Sequence, residues 1–172
     1  MERIAKFKLC VFGDGGVGKT TLITRYVTKV FDEDLKMTIG TDLSVKDVVV
    51  DDKKVTLRIW DFAGEERFKI LMPSFAKKAS GGVFVFDTTR FSSLKNIKDW
   101  LSFFEGQKIP IIMVGSKTDL VEKRSVENDE AVAMSEEYKM DGYIECSSKS
   151  GDNIEQIFEI IARKMMKKAG LL

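Results

Sequence analysis

The chain has 172 residues, enough for one domain with a sheet covered on both faces, and at 44% hydrophobic and 32% charged it excludes a disordered or fibrous protein. With 28 basic and 27 acidic side chains the formal charge is +1, which excludes the broad basic footprint of a nucleic-acid binder. Cys10 and Cys146 stand far apart and in no metal-ligand spacing, which argues against a disulfide framework or a zinc site and for a reducing compartment. No stretch reads as a signal peptide or a membrane span, so a cytoplasmic monomer is expected.

Apolar runs alternate with helical patterns along the whole chain, the signature of βαβ units and a largely parallel sheet. The first strand is predicted at Phe7–Phe12, followed by a glycine-rich turn and a helix of about ten residues through Thr28. A polar stretch, Phe31 to Thr41, comes next. Leu43–Val50 and Lys54–Trp60 flank Asp51-Asp52 and read as a hairpin, the one antiparallel pair. Asp61 to Ser74 reads as a mobile segment. Gly82–Asp87 and Ile109–Gly115 are further buried strands, with a helix over Ser92–Phe104 between them. A helix at Val126–Tyr138 precedes a short strand at Gly142–Cys146. The last helix is predicted to begin near Asp152, where Asp152 and Glu155 have capping-box spacing, with Ile154, Ile157, Phe158, Ile161 and Met165 on its core face.

Gly13-Asp14-Gly15-Gly16-Val17-Gly18-Lys19-Thr20 matches G-x-x-x-x-G-K-[ST] and lies between a predicted strand and a predicted helix. In such a loop, glycines let successive amide N–H groups converge on phosphate oxygens, and the helix start adds its positive dipole end. Lys19 then answers the charge of the β- and γ-phosphates, and the Thr20 hydroxyl suits a hard cation such as Mg2+. The loop alone leaves the base and the reaction open among nucleoside kinases, ATPases and GTPases.

Three more segments follow strands: Asp61-Phe62-Ala63-Gly64-Glu65, Ser116-Lys117-Thr118-Asp119 and Ser147-Ser148-Lys149. Open α/β sheets bind ligands at the carboxyl ends of their strands, where these segments fall. With the loop, they make the chain resemble the Ras superfamily of small GTPases over essentially its whole length, closest to the Rab-like and Ras-like branches. Trp60-Asp61-Phe62-Ala63-Gly64-Glu65-Glu66-Arg67-Phe68 looks like the Rab segment W-D-T-A-G-Q-E-R-F, and Thr38-Ile39-Gly40-Thr41-Asp42 like T-I-G-V-D. The interval from Ser116 to Ser147 leaves no room for the extra helix of Rho proteins.

The resemblance implies an α/β fold, the P-loop NTPase G domain, spanning residues 1–172: a six-stranded, mostly parallel sheet with one antiparallel strand and about five helices. It implies a molecular switch that binds GTP or GDP with Mg2+ and slowly hydrolyses GTP. Gly15, Gly16, Val17, Gly18, Lys19, Thr20 and Thr21 would hold the phosphates; Phe31, Ser116, Lys117, Asp119, Ser147, Ser148 and Lys149 would hold the nucleoside. Asp119 can accept from the ring N–H and exocyclic NH2 of guanine, a pair that adenine lacks. Thr20 and Thr38 would bind the metal directly and Asp61 through a water. Lys19, Thr38, Gly64 and Glu65 would serve the chemistry. Effector, exchange-factor and GTPase-activating proteins would meet Phe31–Thr41 and Asp61–Ser74.

Two positions depart from the family pattern. Ser116 replaces the usual asparagine, a loss of hydrogen bonding expected to cost roughly tenfold in affinity. Glu65 replaces the glutamine that orients the attacking water, which opens the alternative of a GTP-bound signalling scaffold with little or no hydrolysis. None of Arg58, Arg67 or Arg90 aligns with an internal arginine finger, so a partner is expected to supply one. The end of this sequence, from Lys167 to Leu172, carries no cysteine for a prenyl group, and its basic residues are expected to touch a membrane weakly at most.

Overall fold

A computed structural model describes residues 1–33 and 40–172, so Thr38 lies outside the described residues. Six strands, β1 (Arg3–Phe12), β2 (Thr41–Val50), β3 (Lys53–Phe62), β4 (Gly81–Asp87), β5 (Ile111–Ser116) and β6 (Tyr143–Glu145), form one sheet in the order β2-β3-β1-β4-β5-β6. Only β2 is antiparallel to its neighbour, running from Thr41 opposite Phe62 to Val50 opposite Lys53. The hairpin turn falls on Asp51 and Asp52 as expected, with φ of 48° and 61°. Positive φ at both central residues suits the two-residue turn that follows the strands' own twist. The exposed beginning of β1 pairs with β3 from Arg3 onward, which extends the strand beyond its apolar run.

The helices are α1 (Lys19–Thr28), α2 (Met72–Ala76), α3 (Ser92–Lys95), α4 (Ile97–Ser102), α5 (Asn128–Glu137) and α6 (Ile154–Lys168). Expected as one helix, α3 and α4 are parted at Asn96, where ψ of 9° breaks the helical path. Taken as one broken helix, they give the five of the sequence reading. The segment read as mobile carries a 3-10 turn over Glu66–Leu71 before α2.

The capping box expected at Asp152 and Glu155 does not form. Asn153, at φ 62° and with no side-chain cap, precedes α6; the Asp152 carbonyl accepts instead from Ser147 N–H, and Glu155 pairs with Lys29. The box appears at α5, between Glu127 and Glu130.

Alternation along the central strands builds a core on each face. Leu9 and Val11 of β1, Val83 and Val85 of β4, and Ile112 and Val114 of β5 face α1 and α6; there Ile154, Ile157, Phe158, Ile161 and Met165 are buried as the stripe predicts. Tyr26 stacks on Phe158 with ring centroids 3.9 Å apart. On the other face Cys10, Phe12, Phe84, Phe86 and Met113 meet α2 to α5 around Trp100. Truncating a fully buried aromatic such as Phe12 costs about 3–5 kcal/mol. Cys10 and Cys146 are buried free thiols, pushed up to about 12 by that burial. No helix among the described residues is long and apolar enough to cross a membrane.

Candidate functional site

Because β1, β3, β4, β5 and β6 run parallel, their carboxyl ends share one edge of the sheet. The segments singled out in the sequence leave from that edge. The glycine-rich loop connects Phe12 to α1, and only glycine fits at its first position: Gly13 has φ 144°, and a Cβ there would lie 2.1 Å from the Val85 carbonyl oxygen.

Every carbonyl from Gly13 to Gly18 has a donor, which sets the loop's shape. Lys19 Nζ donates to Gly13 O at 2.9 Å and Asp14 O at 2.7 Å; Arg90 Nη2 donates to Gly15 O at 2.8 Å. Lys117 Nζ donates to Gly16 O at 2.8 Å and Ser116 Oγ to Val17 O at 2.6 Å, while Gly18 O takes the first helical bond, from Leu22 N–H, at 2.9 Å. A trans peptide sets the next N–H opposite each carbonyl, so the N–H groups of Gly16, Val17 and Gly18 point away from these donors. The Asp14 carboxylate is held separately, by Trp100 Nε1 at 2.8 Å and Asn96 Nδ2 at 2.9 Å.

Lys19 is buried, and that burial lowers its ammonium to about 8; the carboxylates of Asp61 and Asp14 work against the shift, and Arg90 adds to it. Beside it the Thr20 hydroxyl donates to Asp61 Oδ2, which joins the start of α1 to the end of β3. Gly64 packs directly on the loop: a Cβ there would lie 2.1 Å from Gly13 O and 2.4 Å from Gly15 N. Glu65 follows, its Oε2 paired with Arg67 Nε at 2.8 Å and its buried Oε1 without a hydrogen-bond partner among the described residues.

Beyond β5, Lys117 has φ 63° and pairs with Asp87 Oδ2 at 2.8 Å. Burial works against the Asp87 carboxylate, yet the bonds from Lys117 and Thr89 hold it below the usual carboxylate range. Asp119 Oδ1 accepts from Ser147 Oγ at 2.8 Å, and Thr118 Oγ1 donates to Cys146 O at 3.0 Å, so the loops after β5 and β6 are tied together. Ser116 keeps a link to the phosphate loop despite its short side chain: its hydroxyl lies within reach of Val17 O and, at 3.0 Å, Phe86 O.

These groups surround one cavity of about 640 Å3, lined by Gly15, Gly16, Gly18, Lys19, Thr20, Thr21, Phe31, Gly64, Glu65, Ser116, Lys117, Asp119, Ser148 and Lys149. Val17, Asp61 and Ser147 stand behind that lining and support it through the bonds above. Phe62 and Ala63, from a segment already singled out, line the cavity too, with Asp32, Glu33 and Leu120. Arg90, Asn96 and Trp100 were missed as partners of the loop. They lie 75 to 86 positions from the residues they hold, beyond the reach of any local pattern.

A profile of the Ras family matches residues 8–167. Among curated proteins, the chain is 33% identical over 168 residues to the Ras-related protein Rab-19 of Homo sapiens, covering 96% of this chain and 77% of that protein. The Rab-19 proteins of Rattus norvegicus, at 32% identity, and Bos taurus, at 33%, are covered to the same extent. With that match and a strand order that brings the four motif segments to one cavity, the chain belongs to the Ras family of small GTPases, GTP-binding switch proteins.

Proposed function

We propose that the cavity binds GTP or GDP, with the phosphates on Gly15 to Thr21 and guanine between Lys117, Asp119 and Ser148, and that the protein slowly converts bound GTP to GDP. The observation that carries this reading is the convergence of the phosphate loop with Asp119 in one cavity of nucleotide dimensions. Phe31 stands at the cavity to pack on the base, and Ser147 holds Asp119 Oδ1 in place. A carboxylate desolvated by the wrong base is left unpaired, which gives a guanine preference of about 10⁴-fold or more.

The residues present fit Mg2+. Thr20 and Asp61 already meet oxygen to oxygen at the foot of the loop, a donor set that suits a small hard cation completing its shell with phosphate and water. When bound, the metal neutralises charge on the β- and γ-phosphate oxygens. Thr20 would be a direct ligand and Asp61 would hold a bound water; the matching role of Thr38 rests on the resemblance alone.

In the reaction a water oxygen bonds to the γ-phosphorus, the bond to the β–γ bridging oxygen breaks, GDP leaves with that electron pair, and the water's protons leave with the phosphate as H2PO4−. Lys19 keeps its proton and answers the charge on the β- and γ-oxygens, and Gly64 offers its N–H to the γ-phosphate. Glu65 Oε1, buried and free of other partners among the described residues, accepts from the attacking water. A carboxylate cannot also donate, so turnover is slow, on the order of 10⁻⁴ s⁻¹ without a partner. A partner's arginine can add up to about 10⁵. The exposed Ile70 and Leu71 on the segment after Glu65 support the assignment of Asp61–Ser74 as a partner surface, with Phe31–Thr41 as the other.

The scaffold reading draws on the Arg67 ion pair, which holds one Glu65 oxygen away from chemistry. Single-turnover phosphate release from purified protein loaded with GTP and magnesium decides between the two. Release within hours supports the GTPase; none over a day leaves the scaffold.

A further inference from the structure

Arg90 sits outside every sequence motif, yet its guanidinium contacts the phosphate loop. Its backbone is fixed first: Arg90 N–H donates to Asp87 O at 2.9 Å, and its own carbonyl accepts from Ser93 N–H at 3.0 Å and from the buried Ser93 Oγ at 2.6 Å. From that base, Nη2 reaches Gly15 O at 2.8 Å, and Nη1 lies 3.9 Å from where a Cβ on Gly16 would be. No carboxylate among the described residues forms an ion pair with it, so its charge is not spent on a neighbour. Gly15 also lies close to Glu65, whose Cγ would be 3.6 Å from a Cβ at Gly15. Gly15 thus neighbours both Glu65 and the guanidinium.

We propose that Arg90 is a positioning residue for phosphoryl transfer: an in-chain guanidinium that fixes the Gly15–Gly16 peptide beside Glu65 from the carbonyl side of the loop. The inference rests on the nucleotide reading above. A charge-assisted bond to the loop costs little ordering, because the turn that carries Arg90 is already fixed. Because Gly15 packs against Gly64 and Glu65, the groups assigned to the γ-phosphate, loosening this peptide weakens binding of a triphosphate more than of a diphosphate.

The test uses the full chain with Arg90→Ala and Arg90→Lys. Two quantities are read: single-turnover GTP hydrolysis with magnesium, and affinities for GDP and a non-hydrolysable GTP analogue by displacement of fluorescent GDP. Arg90→Ala is expected to slow hydrolysis about tenfold and to lower the analogue-to-GDP affinity ratio about threefold, with GDP affinity itself within about threefold of wild type. Arg90→Lys, which keeps a charged donor, recovers most of both losses. Unchanged rate and ratio in Arg90→Ala overturn the proposal. So does a fall in GDP affinity that matches the fall in rate in both variants, which marks a loop that has merely lost its shape. Wild-type protein that binds GTP without hydrolysing it defeats the GTPase reading alone, because the affinity ratio needs no turnover and still tests Arg90.

Discussion

Trp100 Nε1 donates to Asp14 Oδ1 at 2.8 Å, so a fully buried indole at the centre of one core is bonded directly to the phosphate loop. The second donor to that carboxylate, Asn96 Nδ2, comes from the residue at which α3 and α4 part. Loop geometry and core packing on this face are one structure. Replacing Trp100 with Phe keeps most of the apolar contact and removes the donor. The expected cost is about 1–3 kcal/mol of stability, with weaker nucleotide binding, as read by urea unfolding and fluorescent-nucleotide titration.

Two glycines beside the cavity should respond differently to one added methyl. At Gly64 a Cβ meets backbone at 2.1 to 2.4 Å, so Gly64→Ala must displace the loop or the end of β3. At Gly15 the nearest atom is Glu65 Cγ at 3.6 Å, an ordinary contact. Gly15→Ala is therefore expected to fold and to bind GDP within a fewfold of wild type, at about the accuracy such contacts allow. Gly64→Ala should lose at least about tenfold in affinity for a GTP analogue. Equal affinities of the two variants for the GTP analogue would contradict the packing described.

The buried Lys19 gives nucleotide binding a pH signature. Its folded-state value of about 8 lies below the 10.5 of an ordinary lysine, so without nucleotide the folded state binds fewer protons than the unfolded state between those pH values. The burial penalty, of the order of 3 kcal/mol, is fully present below pH 8, and stability of the nucleotide-free protein rises as pH increases through the window. Phosphates favour the ammonium, so binding takes up a proton above pH 8 and the affinity for GDP falls there by up to about tenfold per pH unit. Calorimetry in buffers of different ionisation enthalpy measures the uptake directly. Affinity that does not change from pH 7 to pH 9.5 would contradict the assignment of Lys19 to the phosphates.

Ser116 offers a test of the link between β5 and the loop. Removing its hydroxyl in Ser116→Ala leaves Val17 O without that donor and should weaken GDP binding by about tenfold, a loss of roughly 1.4 kcal/mol. Dissociation of fluorescent GDP measures it, and an unchanged rate would show that the bond does not hold the loop.

Much of this architecture is legible in the sequence because its signals are local. The glycine pattern at Gly13 to Thr20, the Asp51-Asp52 turn and the alternation of Leu9 with Cys10 are each read within a few residues, and the stripe from Ile154 to Met165 within one helix. The capping-box expectation at Asp152 and Glu155 failed because the N-cap position falls one residue later, at Asn153, while Asp152 N–H donates to Ser150 Oγ and Glu155 pairs with Lys29. The break at Asn96 was illegible, since its side chain serves Asp14 across 82 positions. The carbonyl partners of the loop are also non-local: Arg90, Lys117 and Ser116 reach it only after the sheet has brought the ends of β4 and β5 beside β1. Residue identities point to the groups gathered round the cavity; the fold decides which of them touch.

The cavity is expected to select guanine and to support hydrolysis of the terminal phosphate. HPLC of the nucleotide released from purified protein, before and after incubation with GTP and magnesium, tests both halves together. A guanine nucleotide in the initial sample and conversion of added GTP to GDP is the predicted result. Release of adenine nucleotide in equal amount, or GTP recovered intact after a day, would contradict it.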